Sequence, residues 1–359
     1  MKHSKLPPSS AERRVACPGS RALEEKYPAE ESPSAQEGHA AHWVLAARLS
    51  KHTGTPAVGT FAPNGVMITE EMIQGAVLAE AFIRSLAAVP LHEGVEETLD
   101  ISFIHPECWG TCDYWCLDIG RSNLHIVDYK FGHMVVEPFE NWQLIAYAAG
   151  VLHIPSITAK TVHLHIVQPR AYHPTGKSIR TWSIEFPQLQ VYWEKLRRTE
   201  MFAMQPNAPL KPSSQCQFCS ARHACDALQR RVLAHLDSDV YSAEHELTPE
   251  QLGNELRMLL RAQTVLDARI TGLKQQALSL IKQGQRVNWF RAEPTRGREK
   301  WKKSVEEVIT LGKLWGIELA KPIECITPKQ AVDAGLPRDI MAEYSETQSG
   351  EIKLVEDKV

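Results

Sequence analysis

The sequence lacks the features that mark membrane-spanning, secreted and strongly basic proteins. No apolar run reaches the roughly 18 residues that a membrane-spanning helix needs. The first ten residues contain no apolar stretch of the kind found in secretory signal peptides, so we expect a cytoplasmic protein. Lysine and arginine number 40 against 43 aspartate and glutamate, for a net charge of −3. This balance excludes a generally basic coat for nucleic acid but leaves room for a local basic channel.

Disulfide bonds are not expected among the eight cysteines, because the cytosol is a reducing compartment. Cys216, Cys219 and Cys225 lie close together in a polar, proline-bounded stretch and can wrap one metal centre. A fourth ligand must come from elsewhere, and Cys17, in an Ala-Cys-Pro-Gly-Ser stretch, is the natural candidate. Spacing alone does not decide which metal group these residues hold, since four-cysteine sites bind zinc readily.

The other four cysteines are predicted to be structural. Cys108, Cys112 and Cys116 have even numbers around Asp113, so on a strand they would point away from that carboxylate and into the core. Cys325 has no partner in the sequence. Burial of free cysteine, which is common, accounts for all four.

Hydrophobic periodicity predicts an α/β protein with a central mixed sheet flanked by helices. A first helix begins near Ser9 or Ser10, where a hydroxyl can cap it. Further helices are predicted over about 34–49, 69–89, 137–152 and 187–201. Segments 95–104, 111–119 and 124–131 indicate an antiparallel meander, and 161–167 alternates as another strand. This order of elements favours a mixed α/β core over an all-helical or all-β fold.

The region after Cys225 is predicted to be mainly helical, and we place a domain boundary between residues 235 and 236. A capping box, Thr248-Pro-Glu-Gln251, begins a long helix over about 249–283. Its apolar residues alternate spacings of four and three from Leu252 to Leu280, which is a heptad pattern. The helix therefore either packs on its own domain or pairs with a second copy. A basic cluster at 296–303 and two short helices are predicted beyond it.

The segment from Gly110 to Tyr147 holds the candidate catalytic residues. On a strand, side chains two apart share a face, so Asp128 and Lys130 point the same way. If the preceding strand places Asp113 beside Asp128, two carboxylates meet one ammonium at the end of the sheet. An ordinary surface ion pair is the alternative, but the apolar flanks of Asp128 and Lys130 disfavour it.

Two adjacent carboxylates repel each other, and a divalent cation removes that penalty. Oxygen ligands suit Mg²⁺ or Mn²⁺, which can polarise a phosphoryl oxygen and lower the pKa of a bound water. Lys130 would then orient the water or offset developing negative charge. Gln143 and Tyr147 stand four residues apart on the next helix and can support the lysine or a phosphate.

The order G-x-x-D, D-x-K and Q-x-x-x-Y resembles the RecB-like exonuclease branch of the PD-(D/E)XK nuclease superfamily. The resemblance implies a restriction-endonuclease-like core and a metal-binding histidine in a Gly-x-x-x-His context, which His42 matches. It also implies that Asp113, Asp128 and the Tyr129 backbone carbonyl bind Mg²⁺ or Mn²⁺, with Lys130, Gln143 and Tyr147 in catalytic support. His39, three residues before His42, would contact the metal ligand His42 without binding the metal itself.

The same branch includes members with an iron–sulfur cluster, held by one cysteine before the nuclease motifs and three after them. By this resemblance Cys17, Cys216, Cys219 and Cys225 are assigned to a 4Fe–4S cluster, with zinc as the alternative occupant. The cluster would clasp a loop of about 200 residues, whose closure is otherwise entropically unfavourable. The nuclease domain would span residues 1–235 and the helical accessory region 236–359.

Similarity over nearly the whole chain, including the Pro8–Arg13 opening and the 167–170 strand end, extends to a phage and prophage family found in recombination cassettes. It implies a DNA exonuclease in recombination or end processing, working in the host cytoplasm beside a single-strand-binding or annealing protein. Gln168 and Arg170 are weaker candidates for DNA contact. Two alternative functions stay open. One is a protein of the same fold that binds DNA ends without cutting them. The other is a zinc-stapled assembly protein whose helical tail is the functional part.

Overall fold

The computed structural model describes residues 4–29, 31–50, 56–87, 89–120, 122–173, 175–236 and 248–292. The chain divides into two compact units, Met1–Arg286 and Val287–Val359. The basic cluster at 296–303, the two short helices predicted after it and Cys325 lie outside the described residues. Within the described part of the chain, no helix combines the length and apolar character that crossing a membrane requires.

The described part of the first unit contains eight α-helices and five strands. After a 3-10 turn at Pro8–Ser10, the helices are α1 (Ala11–Ala16), α2 (Ser20–Glu24), α3 (Pro33–Leu49), α4 (Glu70–Leu86), α5 (Trp142–Leu152), α6 (Phe186–Ala203), α7 (Asp226–Leu236) and α8 (Pro249–Lys282). The strands are β1 (His92–Asp100), β2 (Trp109–Leu117), β3 (Asn123–Tyr129), β4 (Thr161–Val167) and β5 (Ile179–Glu185). A second 3-10 turn at Ser214–Phe218 carries the first of the three clustered cysteines.

The strands form one mixed sheet in the order β1-β2-β3-β4-β5. β1, β2 and β3 make the predicted antiparallel meander, and α5 connects β3 to the parallel strand β4. β5 then pairs antiparallel with β4 at the far edge. The predicted fold class, an α/β protein with a mixed sheet flanked by helices and a helical C-terminal region, is confirmed.

Each face of the sheet packs against its own helical layer. The α5-side cluster joins strand residues such as Leu124, Ile126 and Leu164 to α5 and α6. The α3/α4-side cluster joins Val127 and Tyr129 to the buried faces of α3 and α4. Successive β3 side chains thus enter opposite cores, as the twofold repeat of a strand requires.

Several predicted boundaries differ from the structure. α5 begins at Trp142 rather than 137, because Asn141 accepts the N–H groups of Gln143 and Leu144 and so caps the helix there. The helix near Ser10 is present, but that hydroxyl makes no capping hydrogen bond to the helix. β5 was not predicted, because one of its buried positions is Arg180, which breaks the apolar alternation.

The prediction that three cysteines share one core face is wrong. Cys108 precedes β2, and it packs with Cys112 in the α5-side cluster, whereas Cys116 packs in the α3/α4-side cluster. The hairpin changes face between these positions: Glu96 of β1, opposite Asp113, has a left-handed φ of 46°. This local change of face is what brings the Asp113 carboxylate to the α3 side of the sheet, where it contacts His42.

α8 is a single long helix that begins with the predicted capping box. Its buried residues, Val265, Ala268 and Gly272, lie near the middle and face the cysteine segment and α7. Of the heptad residues, Leu266 packs on the same cluster, whereas Leu252, Leu259 and Leu273 are exposed. The first compact unit extends to residue 286 and so includes α8.

Candidate active site

The site forms where β2 and β3 separate. Their pairing runs from Leu117–Leu124 to Tyr114–Val127, and Asp113 and Asp128 occupy the next opposed positions. There the Asp113 side chain enters the gap, and its Oδ2 accepts the Tyr129 N–H at 2.7 Å. Both aspartates are buried, at 9% and 2% exposure. Both buried acids are therefore held by hydrogen bonds and nearby cationic side chains.

Asp128 is part of a hydrogen-bonded chain on the α5 side. Gln143 Nε2 donates to Asp128 Oδ1 at 3.0 Å and to the Tyr147 hydroxyl at 3.2 Å. Lys130 Nζ donates to Gln143 Oε1 at 3.0 Å and lies 3.0 Å from Asp128 Oδ2. The spacing of two on β3 and of four on α5 therefore brings all four side chains together, as their positions in the sequence predicted.

His42 lies on the other side of Asp113, on α3. Its Nδ1 is 3.1 Å from Asp113 Oδ1 and 3.8 Å from Glu96 Oε1. His42, Glu96 and Asp113 each offer a ligand atom, and these atoms all lie within 4.8 Å of one another. Sequence reasoning missed Glu96, because neither its left-handed backbone nor its position opposite Asp113 leaves a local signal in the sequence.

The charged side chains of the site shift one another's pKa values. Burial raises the pKa of Asp128 to about 6 against the opposing attraction of Lys130. Burial acts the same way on Asp113, but the attraction of His42 and Lys130 prevails and lowers its pKa below the usual value. Burial would lower the pKa of His42, yet Asp113 and Glu96 raise it to about 10. Without a cation the site therefore holds protons that a bound metal ion would displace.

Three further candidates lie apart from the two aspartates: His39, predicted to support His42, and Gln168 and Arg170, predicted to contact DNA. His39 is exposed and pairs with Glu31 at 2.9 Å. Gln168 is fully buried, and its amide bonds the backbone of the 132–136 loop and the Arg180 guanidinium. Arg170 pairs with two glutamates, Glu37 on α3 and Glu71 on α4. In this arrangement Gln168 and Arg170 hold neighbouring elements together.

The four cysteines of the predicted metal centre line one pocket. Cys17 follows α1, and Cys216, Cys219 and Cys225 come from the segment that connects α6 to α7. Burial raises the pKa of Cys17, Cys216 and Cys219, so a metal group must displace their protons to bind. Each sulfur accepts a backbone N–H, from Lys211, Ser213, Ala221 and Leu228 respectively.

The spacing of these sulfurs bears on what they can hold. Among the described residues, the metal-ligand group within 4.8 Å is the one around His42, so no three of the four sulfurs are that close together. A tetrahedral zinc ion needs sulfurs about 3.8 Å apart, from Zn–S bonds of about 2.3 Å. The four thiols are therefore not gathered as closely as the ligands of a tetrahedral zinc ion.

Comparison with known families identifies the family of this chain. Residues 3–319 match the family described as protein of unknown function (DUF2800). The chain belongs to this family. The DUF2800 match covers β1–β5, both halves of the candidate active site, all four clustered cysteines and the whole of α8. The features described above therefore lie within the region by which DUF2800 proteins are defined.

Proposed function

We propose that this DUF2800 protein is a Mg²⁺- or Mn²⁺-dependent DNA exonuclease that acts in phage-type recombination or DNA end processing. The observation that carries the proposal is the convergence of Asp113, Asp128 and Lys130 where β2 and β3 separate. Two buried acids and one ammonium in this arrangement suit phosphodiester hydrolysis with a bound cation. The D-x-K and Q-x-x-x-Y resemblance to RecB-like nucleases supports the same activity.

In this proposal each side chain has a distinct task. Asp113, Asp128 and the Tyr129 carbonyl would hold the cation with His42, and the cation would polarise the phosphoryl oxygen and acidify a bound water. Lys130 lies where it can orient that water or stabilise charge on the phosphate. Gln143 hydrogen-bonds both Asp128 and Lys130, and Tyr147 hydrogen-bonds Gln143. These two α5 residues would therefore hold Asp128 and Lys130 in position.

The cysteine pocket fits a 4Fe–4S cluster as its proposed occupant. The backbone N–H groups that point at the four sulfurs would stabilise them as thiolates, and Arg13, Lys211 and Arg222 line the same pocket. The cluster would join Cys17 to the segment near residue 220 and so clasp the nuclease core. Because no three of the sulfurs lie within 4.8 Å of one another, the cluster is the better candidate than the zinc ion of a zinc-stapled assembly protein.

Digestion of end-labelled linear DNA and matched circular DNA, with each metal in turn, tests the proposal. We expect linear DNA to be degraded and circular DNA to survive, and the position of the label then gives the polarity. Asp128→Asn and Lys130→Ala should lower the rate by at least about 100-fold while DNA binding persists. The exposed Lys177→Ala variant is the matched control and should retain full activity.

The outcomes separate the rival functions. DNA binding without any cleavage, in every metal, would support a non-cleaving end-binding protein instead. Zinc rather than iron in the purified protein, with no DNA binding, would support an assembly role. Cleavage that survives Asp128→Asn would refute the assignment of the active site.

A further inference from the structure

Ser20 has a buried hydroxyl group that makes no hydrogen bond within the described part of the chain. The residue is 2% exposed and lines the same pocket as the four clustered cysteines. A buried hydroxyl without a partner costs about 1–3 kcal/mol, and alanine would fill much the same space without that cost. An acceptor that binds in the pocket therefore explains a serine at this position better than packing does.

The turn before α2 fixes the position of Ser20 relative to Cys17. The Ser20 N–H donates to the Cys17 carbonyl at 3.0 Å and closes a four-residue turn. Gly19, inside this turn, packs so closely that a methyl group on it would lie 2.5 Å from the Ala208 carbonyl oxygen. Nearby, the Lys211 N–H donates to Cys17 Sγ at 3.2 Å. Ser20 and the predicted ligand Cys17 are therefore brought to the pocket by one fixed turn.

A second unused donor lines the same pocket. Arg222 Nε is buried and makes no hydrogen bond to any residue that the structure describes. The other guanidinium nitrogens are occupied, because they donate to the carbonyls of Gln217 and Cys219 and to the Gln275 side chain. Buried donors are nearly always paired in folded proteins, so two unpaired donors at one pocket indicate an occupant that presents acceptors.

The chemistry of the pocket narrows the choice of acceptor. The four cysteine sulfurs accept backbone N–H groups, and within the described residues none of them accepts the Ser20 hydroxyl. A zinc ion bound by cysteines would bring no acceptor of its own. An iron–sulfur cluster brings inorganic sulfides, which accept hydrogen bonds, and its reduction potential depends on those bonds.

We propose that the Ser20 hydroxyl donates a hydrogen bond to an inorganic sulfide of the 4Fe–4S cluster and thereby raises the cluster's reduction potential. Reduction adds one negative charge to the cluster, and a hydrogen bond to a more negative acceptor is stronger. Arg222 Nε is the second donor toward the same group. The inference rests on the cluster proposed above, but it concerns the potential of that cluster and is measured without DNA.

A redox titration of the anaerobically purified, cluster-loaded protein, followed by electron paramagnetic resonance, tests the proposal. In Ser20→Ala the ratio of reduced to oxidised cluster at a fixed potential should fall about tenfold, which is about 59 mV for one electron. Ser20→Thr keeps the hydroxyl and should restore the potential toward that of the wild type. Ser220→Ala is the matched control, because the Ser220 hydroxyl already donates to Glu24, and its potential should be unchanged.

Resonance Raman spectra of the wild-type protein in H₂O and D₂O give a second measurement that needs no variant. Exchange of the donated proton should shift the bands of the bridging Fe–S bonds, and Ser20→Ala should reduce that shift. An unchanged potential in Ser20→Ala, or bridging bands without an isotope shift in the wild type, would overturn the inference and leave the cluster in place. Zinc without iron in the wild-type protein would refute the cluster itself, and the inference with it.

Discussion

Among single residues, His42 and Asp128 determine how the site responds to pH. Below a pKa of about 10, His42 carries a proton that must leave before its nitrogen can bind a cation. Asp128, with a pKa raised to about 6 by burial, is also protonated below that pH. Protons would therefore compete with the proposed cation, and the number displaced per ion would depend on pH.

We expect Mn²⁺ affinity at the site to rise with pH by about tenfold per unit between pH 6.5 and 8.5, since one proton leaves His42. Below pH 6 the rise should be steeper, because Asp128 also loses a proton. Calorimetry in buffers of different ionisation enthalpy measures both the affinity and the protons released. His42→Gln should remove the slope above pH 6.5, and a flat profile in the wild-type protein would contradict the predicted protonation of His42.

Residue spacing predicted the α5 half of the site well and the α3 half only in part. Asp128, Lys130, Gln143 and Tyr147 meet because periods of two and four are local properties of a strand and a helix. Glu96 could not be found this way. Its approach to His42 depends on a left-handed backbone and on packing between β1 and α3, which are distant in sequence.

At the scale of elements, the order of strands and helices followed from periodicity, whereas their ends required caps and tertiary contacts. β4 was predicted with its observed bounds because its alternation is uninterrupted. β5 was missed because Arg180 fills a buried position, where it bonds the Val136 carbonyl and Gln168. Arg180 therefore looks like a surface residue in the sequence although its position in the structure is buried.

α8 makes a close contact with the cysteine segment at Gly272. A methyl group on Gly272 would lie 2.6 Å from Arg222 Cγ and 2.9 Å from the His223 backbone N. Arg269 reinforces the contact by donating to the carbonyls of Arg222 and His223. α8 can therefore lie against this segment only because residue 272 has no side chain.

Two glycine-to-alanine variants on α8 test this contact. Gly253 has open space around it, so Gly253→Ala should stabilise the helix by roughly 0.5–1 kcal/mol through helix propensity. Gly272→Ala should instead destabilise the packing by about 1–3 kcal/mol and increase hydrogen exchange around residues 262–275. Thermal unfolding and hydrogen exchange measure the two effects. Equal stabilisation by both variants would contradict the observed packing of α8.

For the molecule as a whole, the beginning of the chain is bound to segments far along it. Arg14 makes a bidentate pair with Glu200 of α6, at 2.6 Å for each contact, and both side chains are buried. Cys17 lies beside Cys216 and Cys225 in the cysteine pocket. The ion pair and the proposed cluster would thus close the same long loop at neighbouring points.

Loss of one cluster ligand should remove the proposed link between Cys17 and the cysteine segment without altering the active-site residues. Cys219→Ser should lose its iron, measured by elemental analysis and visible absorbance, and should become less soluble. Cys116→Ala is the control, because it removes a thiol from the hydrophobic α3/α4-side cluster. The Cys116→Ala protein should keep its iron. Unchanged iron in Cys219→Ser would remove the cluster assignment, even if the nuclease activity were established.

The account depends most on Asp113 and Asp128 holding a common cation. Crystals grown with Mn²⁺ and measured at the manganese edge would locate the ion by its anomalous scattering. We predict a peak about 2.1 Å from oxygens of both carboxylates and from the Tyr129 carbonyl oxygen. A fully exchanged crystal with no peak between the two aspartates, or with manganese bound only elsewhere, would contradict the proposed active site.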